Sequence, residues 1–411
     1  MDSETTIWNT RFLKDVIELK YGKGLKESER EMGEFPVYGS SGVIDYHKKY
    51  LVDGPGIIIG RKGTVGKVNF SKINFWPIDT TYYLELKNHG NWAFFYYFLK
   101  TLNFELLNTH SAVPGLNRED VYNLKVKIPD YKEQRAIAKI LSDLDSKIEL
   151  DIRMNKTLES IAQALFKHWF IDFEFPDDNG NPYKSSGGEM VESELGEIPK
   201  GWEVNKLANY VDVIKGCSYR SEDLKRSNIA LVTLKSINRG GGFNQDGYKE
   251  YVGDYDQDQI LNEGDIIIAQ TDLTQEAEVI GRAAIVNSLG KYSQLIASLD
   301  LQIIRPREVF SRNYLYYLLS RETFHNHALS YTNGTTVLHL NKNAVSEYKT
   351  VIPSKAIMKK FDICTSTTLQ RIGININEKG VLVSIRCSLL PKLMSGKIRV
   401  PLEVINDKKN E

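Results

Sequence analysis

The feature that most constrains this chain is that its sequence repeats itself. Pieces of sequence occur twice in the same order, at 56–59 and 265–268, 95–99 and 315–319, 116–117 and 340–341, and 128–129 and 352–353. The last two pairs share one offset of 224 positions, since 340 minus 116 equals 352 minus 128. A chain of 411 residues exceeds one ordinary core, so the repeat predicts two copies of one module. The second copy begins near Trp202 and the first near Trp8.

The sequence pattern of each copy predicts a strand-rich module that is followed by a long helix. Short β-branched and aromatic runs, broken by glycine turns, are typical of strands. After a capping box formed by Asp130 and Glu133, apolar residues recur at alternating steps of four and three from Ile137 to Trp169. This spacing is typical of a coiled-coil seam. The polar residues Asp151 and Asn155 in mid-seam are expected to fix its register.

The second long helix is predicted from about 354 to 394, in the same register at the 224-residue offset. Gly373 and Gly380 weaken its interior, and Pro391 is expected to break its last turn. Because each helix is longer than the core of one module requires, we expect the two helices to pair with each other. The alternative is that each helix packs only on its own module.

The expected fold class is therefore α/β, of the α+β kind, with two repeated modules and two long helices. The predicted boundaries are 1–127 for the first module, 128–172 for the first long helix, 173–200 for a linker, 201–352 for the second module, 353–400 for the second long helix and 401–411 for a polar tail. The linker assignment rests on the glycine, serine and turn-forming residues of 173–188.

Charge and cysteine content narrow the function classes. Lys plus Arg equals Asp plus Glu at 53 each, which excludes a protein that coats nucleic acid by bulk electrostatics. Local basic stretches remain at 43–72 and 214–240, each with six basic residues against two acidic ones. Three scattered cysteines favour neither a disulfide framework nor a zinc site and indicate a reducing cytoplasm. We expect no membrane span and no secretion signal.

The sequence shows no convincing catalytic motif. The segment 60–68 resembles a phosphate loop, but five residues separate its outer glycines and Val68 replaces the magnesium-binding hydroxyl residue. Asp79, Glu85 and Lys87 are too closely spaced for a metal-dependent nuclease motif. Asn181-Pro182-Tyr183 lacks a proline of the amino-methyltransferase motif. We therefore expect that this chain is not an enzyme and binds no metal.

Three regions resemble the specificity subunit of type I restriction-modification enzymes. Residues 128–148 resemble the central conserved helix of that family, 173–204 its linker and second-module entry, and 389–396 its distal end. The resemblance covers essentially the whole chain in the right order. One departure concerns the helix entries, where Glu133 and Gln134 of the first helix correspond to Ile357 and Met358 of the second.

The resemblance implies a sequence-reading scaffold. Two target-recognition domains would each read one half of a split double-stranded DNA sequence, held apart by an antiparallel coiled-coil spacer of two conserved helices. The subunit would have no catalysis or cofactor of its own. Two methylation subunits would bring S-adenosylmethionine, and two restriction subunits would bring ATP and Mg.

The candidate DNA-binding residues lie in small, donor-rich loops at equivalent positions of the two copies. They are Gly39, Ser40, Ser41, Arg61, Lys62, Thr64 and Lys67 in the first copy, and Gln270, Thr271, Asp272, Arg282, Asn333 and Thr335 in the second. The loop 110–117 is a further candidate segment. Three alternatives stay open: the specificity subunit of a two-part methylase-nuclease system, a coiled-coil scaffold that binds no nucleic acid, and a self-sufficient nuclease.

Overall fold

The computed structural model describes residues 8–108, 115–272, 276–307, 310–334 and 337–400. The chain divides into two compact units. The first unit is Met1–Lys147 with Leu382–Glu411, and the second is Ile148–Val381. Each unit therefore contains one copy of the repeat together with part of both long helices.

The first copy is built from short strands and two short helices, and the first long helix follows it. The elements are β1 (Asn9–Phe12), β2 (Ile17–Tyr21), β3 (Phe35–Gly39), β4 (Gly42–His47), β5 (Gly56–Gly60), β6 (Val68–Ser71), β7 (Trp76–Pro77), β8 (Thr81–Leu86), α1 (Trp92–Lys100), α2 (Arg118–Tyr122), β9 (Lys125–Ile128) and α3 (Tyr131–Phe170).

The second copy has more strands, and the second long helix follows it. A short hairpin precedes it, formed by β10 (Met190–Val191) and β11 (Ile198–Pro199). Its strands are β12 (Glu203–Lys206), β13 (Val211–Lys215), β14 (Ile229–Val232), β15 (Tyr248–Glu250), β16 (Ile260–Leu261), β17 (Ile266–Ala269), β18 (Thr271–Asp272), β19 (Ala283–Ile285), β20 (Gln294–Ala297), β21 (Leu301–Pro306), β22 (Thr332–Asn333), β23 (Leu338–Leu340) and β24 (Lys349–Ile352). Its helices are α4 (Arg312–Leu319), α5 (Glu322–Ser330) and α6 (Lys355–Met394).

The larger sheet has the same topology in both copies. The larger sheet has the order β2-β8-β5-β6 in the first copy and β13-β21-β17-β19 in the second. A smaller sheet lies beside it in each copy, and it contains one parallel pair, β3 with β7 or β14 with β20. The entry and exit strands close each copy by antiparallel pairing, β1 with β9 and β12 with β24. The duplication predicted from the sequence is confirmed.

Burial explains why the isoleucine runs form central strands. In β5, Ile57 and Ile59 are fully buried in the core that includes the aromatic residues of α1. Ile58 points to the other face, where it packs with Tyr38 and Phe75 of the smaller-sheet side. A strand covered on both faces favours consecutive β-branched residues over an alternating pattern.

The helix that follows the larger sheet begins in the same way in both copies. Asn91 accepts a hydrogen bond from the Phe94 amide at 2.9 Å, and Ser311 accepts one from the Tyr314 amide at 3.0 Å. Each side chain satisfies an amide at a helix start that has no partner within the helix. The sequence therefore sets the start of α1 and of α4 locally.

The long helices α3 and α6 each contain 40 residues and begin 224 positions apart (355 minus 131). In the first unit, Asp145 on α3 forms an ion pair with Arg386 on α6. In the second unit, Asn155 accepts a hydrogen bond from Asn375 at 2.7 Å, and Phe166 contacts the ring of Phe361. Within the second unit, α6 positions fall as α3 positions rise, so the pairing is antiparallel. The expectation that the two helices pair is confirmed.

The prediction that Pro391 breaks the last turn was wrong, because α6 continues through this proline to Met394. Leu393 and Met394 are buried in the core of the first unit, and this packing outweighs the cost of the missing amide. Gly373 has a packing reason to be glycine, since a Cβ there would lie 2.7 Å from the backbone oxygen of Asn287.

The segment predicted as a linker, 173–200, carries ordered contacts within the second unit. Phe175 is buried, and its ring stacks on Tyr183 and on Trp202 at centroid distances of 4.6 and 4.9 Å. Among the described residues no helix is both long and apolar enough to cross a membrane.

Candidate nucleic-acid interface

Three segments meet at one place in the first module: the turn 40–41, the loop 61–67 and the segment 115–117. The Nζ atom of Lys67 donates a hydrogen bond to the backbone oxygen of Ser41. The Leu116 amide donates to the backbone oxygen of Arg61 at 2.9 Å, and Lys62 forms a β-bridge with Gly115. The turn between β3 and β4 and the loop between β5 and β6 are therefore held together, with the approach to α2 beside them.

Glycine allows this close approach. A Cβ on Gly60 would lie 2.1 Å from the backbone oxygen of Thr64 and 2.9 Å from that of Ser40. Gly66 has a φ of +81°, in the left-handed region that side chains rarely adopt. The glycines of the segment that resembles a phosphate loop thus serve a compact turn in contact with the neighbouring hairpin.

The second module brings together the equivalent segments. The Leu340 amide donates to the backbone oxygen of Gln270 at 2.8 Å, which reproduces the bond from Leu116 to Arg61. The loop that follows β17 lies against the connection between β14 and β15, where the Gly240 amide donates to the Glu278 oxygen at 3.4 Å. The Gly242 amide of the same connection donates to the oxygen of Ala283, the first residue of β19, at 3.1 Å. We call each such meeting point a three-segment cluster. It comprises the β3–β4 or β14–β15 connection, the loop after β5 or β17, and the segment before α2 or around β23.

The predicted residues of the first module all lie in or beside its three-segment cluster, with different degrees of exposure. Lys62, Thr64, Lys67 and Ser41 are exposed, and Ser40 and Arg61 are half-buried. Gly39 is buried at the end of β3, so it supports the turn and presents no side chain. The exposed members offer hydroxyl and ammonium donors, as contacts to phosphates and base edges require.

Two residues predicted to contact DNA in the second module have buried side chains, and this corrects the expectation for them. Asp272 is 2% exposed and accepts the amides of Val279 and Ile280 at 2.8 and 3.1 Å, so it holds the loop in shape. Thr271 is also buried, and its hydroxyl donates to Asp300 at 3.1 Å. A buried carboxylate that accepts backbone amides is not available to a base.

A third predicted residue, Arg282, is engaged in an ion pair. Its guanidinium forms a two-pronged contact with Glu322 at 2.6 and 3.2 Å, and its side chain is 14% exposed. The hydrogen bonds from Arg282 hold the pKa of the Glu322 carboxyl below its usual value. Gln270 is half-buried and Asn333 is exposed, so both remain candidates. Thr335 and the loop residues 110–114 lie outside the described residues.

Sequence reasoning did not select Tyr21 and Arg118, which adjoin the first three-segment cluster. Tyr21 ends β2 and is 54% exposed, and Arg118 opens α2 directly after the segment 115–117. The signal that could have selected Tyr21 is that it is an aromatic residue at the end of a strand, opposite another tyrosine. Arg118 has no comparable signal, because its position depends on a contact across 97 residues (118 minus 21).

Within the described residues, no group of three or more His, Cys, Asp or Glu side chains is arranged to hold a metal ion. The two three-segment clusters present loops, hydrogen-bond donors and cations at the ends of strands. Such a surface can bind a polyanion and distinguish its parts by hydrogen bonding.

Comparison with known proteins bears on the family of this chain. The MjaIX type I restriction enzyme specificity subunit of Methanocaldococcus jannaschii is 26% identical over 96% of this chain and 94% of its own length. The HindI specificity subunit of Haemophilus influenzae is 24% identical over 69% of this chain and 71% of its own. The crystal structure of a type I restriction-modification S subunit from M. genitalium shares the fold, with a TM-score of 0.62, 16% identity and coverage of 96% and 97%.

The family profile gives the firmest result. The family described as the type I restriction modification DNA specificity domain matches residues 6–160 and 199–378, more than half of the chain. Each matched segment contains the described strands of one copy of the repeat. The protein belongs to the family of type I restriction-modification DNA specificity domains.

Proposed function

We propose that this chain is the DNA sequence-specificity subunit of a type I restriction-modification complex, in which each module reads one half of a bipartite double-stranded target. The observation that carries the proposal is the recurrence of the three-segment cluster at equivalent positions of both modules, marked by the matching amides of Leu116 and Leu340. Two similar readers on one chain suit a target with two separate parts.

The partners follow from the same proposal. We expect two methylation subunits and two restriction subunits to assemble around the chain. The names of its relatives, which are specificity subunits of type I restriction enzymes, support a place in a complex of this type. S-adenosylmethionine, ATP and Mg belong to those subunits, and this chain contributes binding and positioning without catalysis. Its expected location is the cytoplasm, where the three free cysteines stay reduced.

The test is to express the chain with its methylation subunit in a host that lacks both, and to map methylated adenines across the genome. The expected result is one target with two fixed parts separated by an unspecified gap. The matched control is the methylation subunit expressed alone, which should leave the genome unmodified. A single uninterrupted target, or the same methylation without this chain, would contradict the proposal.

Three further experiments separate the rival functions. Co-purification of the chain from its native cells with one fused methylase-nuclease identifies the two-part system. A complex that shifts no DNA identifies a scaffold without nucleic-acid binding. Metal-dependent cleavage by the isolated chain identifies a nuclease.

A further inference from the structure

One exposed tyrosine of the first module lies close to two arginines. The guanidinium carbons of Arg61 and Arg118 lie 5.3 and 5.6 Å from the ring centroid of Tyr21. Arg61 also lies 5.9 Å from the ring of Tyr82, and Arg118 lies 5.8 Å from the ring of Tyr122. We call these five residues the arginine-tyrosine cluster. Cations at these distances from aromatic rings are attracted by the negative face of the ring.

The supporting rings are fixed by hydrogen bonds. The Tyr82 hydroxyl donates to the backbone oxygen of Leu116 at 3.2 Å. The Tyr122 hydroxyl accepts the Leu19 amide at 2.9 Å. Because the rings are held in place, the two guanidiniums are positioned before any ligand arrives, and less side-chain entropy is lost on binding.

One side of the Arg61 guanidinium is also held by the chain. Its Nη2 atom donates to the backbone oxygen of Asp79 at 2.7 Å. This oxygen is a neutral acceptor, so the bond orients the group and leaves its charge uncancelled. The next residue along the chain, Lys62, carries a further exposed cation.

Carboxylates do little to neutralise the cluster. Within the described part of the chain, Arg61 forms no ion pair, and Arg118 has only the long 3.9 Å contact to Glu119, whose side chain is 68% exposed. Glu18 is engaged by Lys20 at 2.7 Å. Burial raises the pKa of Tyr82 to about 12, so its hydroxyl stays neutral near pH 7. The positive charge therefore favours an external anion.

The fold does not require this cluster. Tyr21 pairs with Tyr82 across β2 and β8, and the same register of the second module pairs Lys215 with Gln302. Gln270 stands where Arg61 stands in the first module, as its bond from Leu340 shows. Since the same sheet forms without the tyrosines and arginines, their presence in the first module calls for a role other than folding.

We propose that the arginine-tyrosine cluster binds a phosphodiester group of the DNA backbone, with Arg61 and Arg118 as the contacts and Tyr21 as the residue that positions both. The proposal rests on the proposed function and adds the ligand chemistry of this site. A phosphodiester carries the charge that the cluster lacks and requires no particular base. The contact fixes the DNA on the first module without selecting its sequence.

The test measures DNA affinity of the assembled complex with its methylation subunits across a salt series. A plot of log affinity against log salt concentration has a negative slope, and Arg118→Gln should make this slope shallower by about 0.9. If the two complexes bind equally at 1 M salt, this change corresponds to about eightfold weaker binding of the variant at 0.1 M salt. The ratio of affinities for target and non-target DNA should stay the same. Tyr21→Leu should weaken binding, and Tyr21→Phe should recover most of that loss because it keeps the ring.

Lys100→Gln is the matched control. Lys100 lies 5.0 Å from the ring of Tyr96 on α1, a pair of the same kind whose two residues lie outside the three segments. Its removal should leave the slope unchanged. Arg118→Lys keeps a charge and should retain most of the slope, which serves if Arg118→Gln reduces folding.

The experiment distinguishes a failure of the proposed function from a failure of the phosphodiester proposal. If the wild-type complex binds no DNA, the proposed function fails. If it binds DNA and Arg118→Gln leaves the slope unchanged, the phosphodiester proposal fails and the function stands. A changed base preference with an unchanged slope would mean that the cluster reads a base, and this outcome also overturns the proposal.

Discussion

In the first module, Tyr21 faces Tyr82 across two neighbouring strands, and the same two positions of the second module hold Lys215 and Gln302. The strands of the larger sheet pair in the same order in both modules. The cations also differ in their engagement, because Arg282 of the second module is tied to Glu322. A shared sheet therefore supports loops of different chemistry.

The contacts between the modules and the long helices differ in the same way. Tyr97 on α1 donates to Asp145 on α3 at 2.6 Å, and Asp145 also binds Arg386. Tyr317 occupies the equivalent position of α4, six residues after the capping Ser311, as Tyr97 follows Asn91. Its hydroxyl is buried without a hydrogen-bond partner in the described structure.

The residues that lie 224 positions apart explain why the Tyr317 hydroxyl lacks the partner that Tyr97 has. Asp145 corresponds to Leu369 and Arg386 to Ala162, and both of these residues are buried and apolar. The second unit has apolar residues at the two charged positions but retains the tyrosine. This difference allows the comparison to be tested by stability.

The largest effect on stability is expected from Asp145→Leu, which copies the second unit into the first. The change leaves Arg386, 29% exposed, without its carboxylate and the Tyr97 hydroxyl without an acceptor. We expect a loss of about 1–3 kcal/mol in the free energy of unfolding of the first unit. Hydrogen exchange of the α1 amides in urea measures it.

The control for this variant is Asp143→Leu on the same helix. Asp143 is 62% exposed, and its ion pair with Lys139 is of the surface kind. We expect a change of at most about 0.5 kcal/mol. Equal effects of the two variants would show that the contact of Tyr97, Asp145 and Arg386 does not stabilise the first unit.

A smaller effect, which differs between the two units, is expected from removing the tyrosine hydroxyls. Tyr97→Phe loses a hydrogen bond to a carboxylate and should cost about 1–2 kcal/mol. Tyr317→Phe removes a buried hydroxyl that has no described partner, so it should be neutral or stabilising. Thermal unfolding of the two variants side by side measures the difference. Similar losses in both would contradict the comparison.

The smallest effect concerns acid. Burial, aided by the charge of Arg282, lowers the pKa of His325 on α5 below its usual value of about 6.5. The unfolded chain then takes up a proton more readily than the folded one as the pH falls below that value. The contribution of His325 to the stability of the folded chain is therefore present above about pH 6.5 and is lost as the pH falls. The unfolding of His325→Gln should depend less on pH between about pH 7.5 and about pH 5.5. An unchanged dependence would show that His325 does not contribute.

The repeat, the seam and the sheet-forming runs could be predicted because they depend on local periodicity. Ile137 and Leu141 follow the helical spacing, and the structure buries both fully. The end of α6 could not be predicted in this way. Pro391 disfavours a helix locally, and only the packing of Leu393 and Met394 into a distant core sustains it.

The candidate site was less predictable, because the role of a loop side chain depends on partners far away in the sequence. Asp272 looks like an available polar residue until the amides of Val279 and Ile280 are seen to reach it. Arg282 finds its carboxylate 40 residues later in Glu322. Sequence periodicity carries no information about such contacts. The sequence therefore located the loops, and the structure shows which of their residues have partners within the chain.

The central claim, that each module reads its own half of the target, is tested most directly by exchanging one module. Residues 201–352 are replaced by the same region of another family member, and the methylated sequences made by the complex are mapped across a genome. The account predicts that one half of the target changes to that of the donor while the other half stays as before. A change in both halves, or in neither, would contradict it.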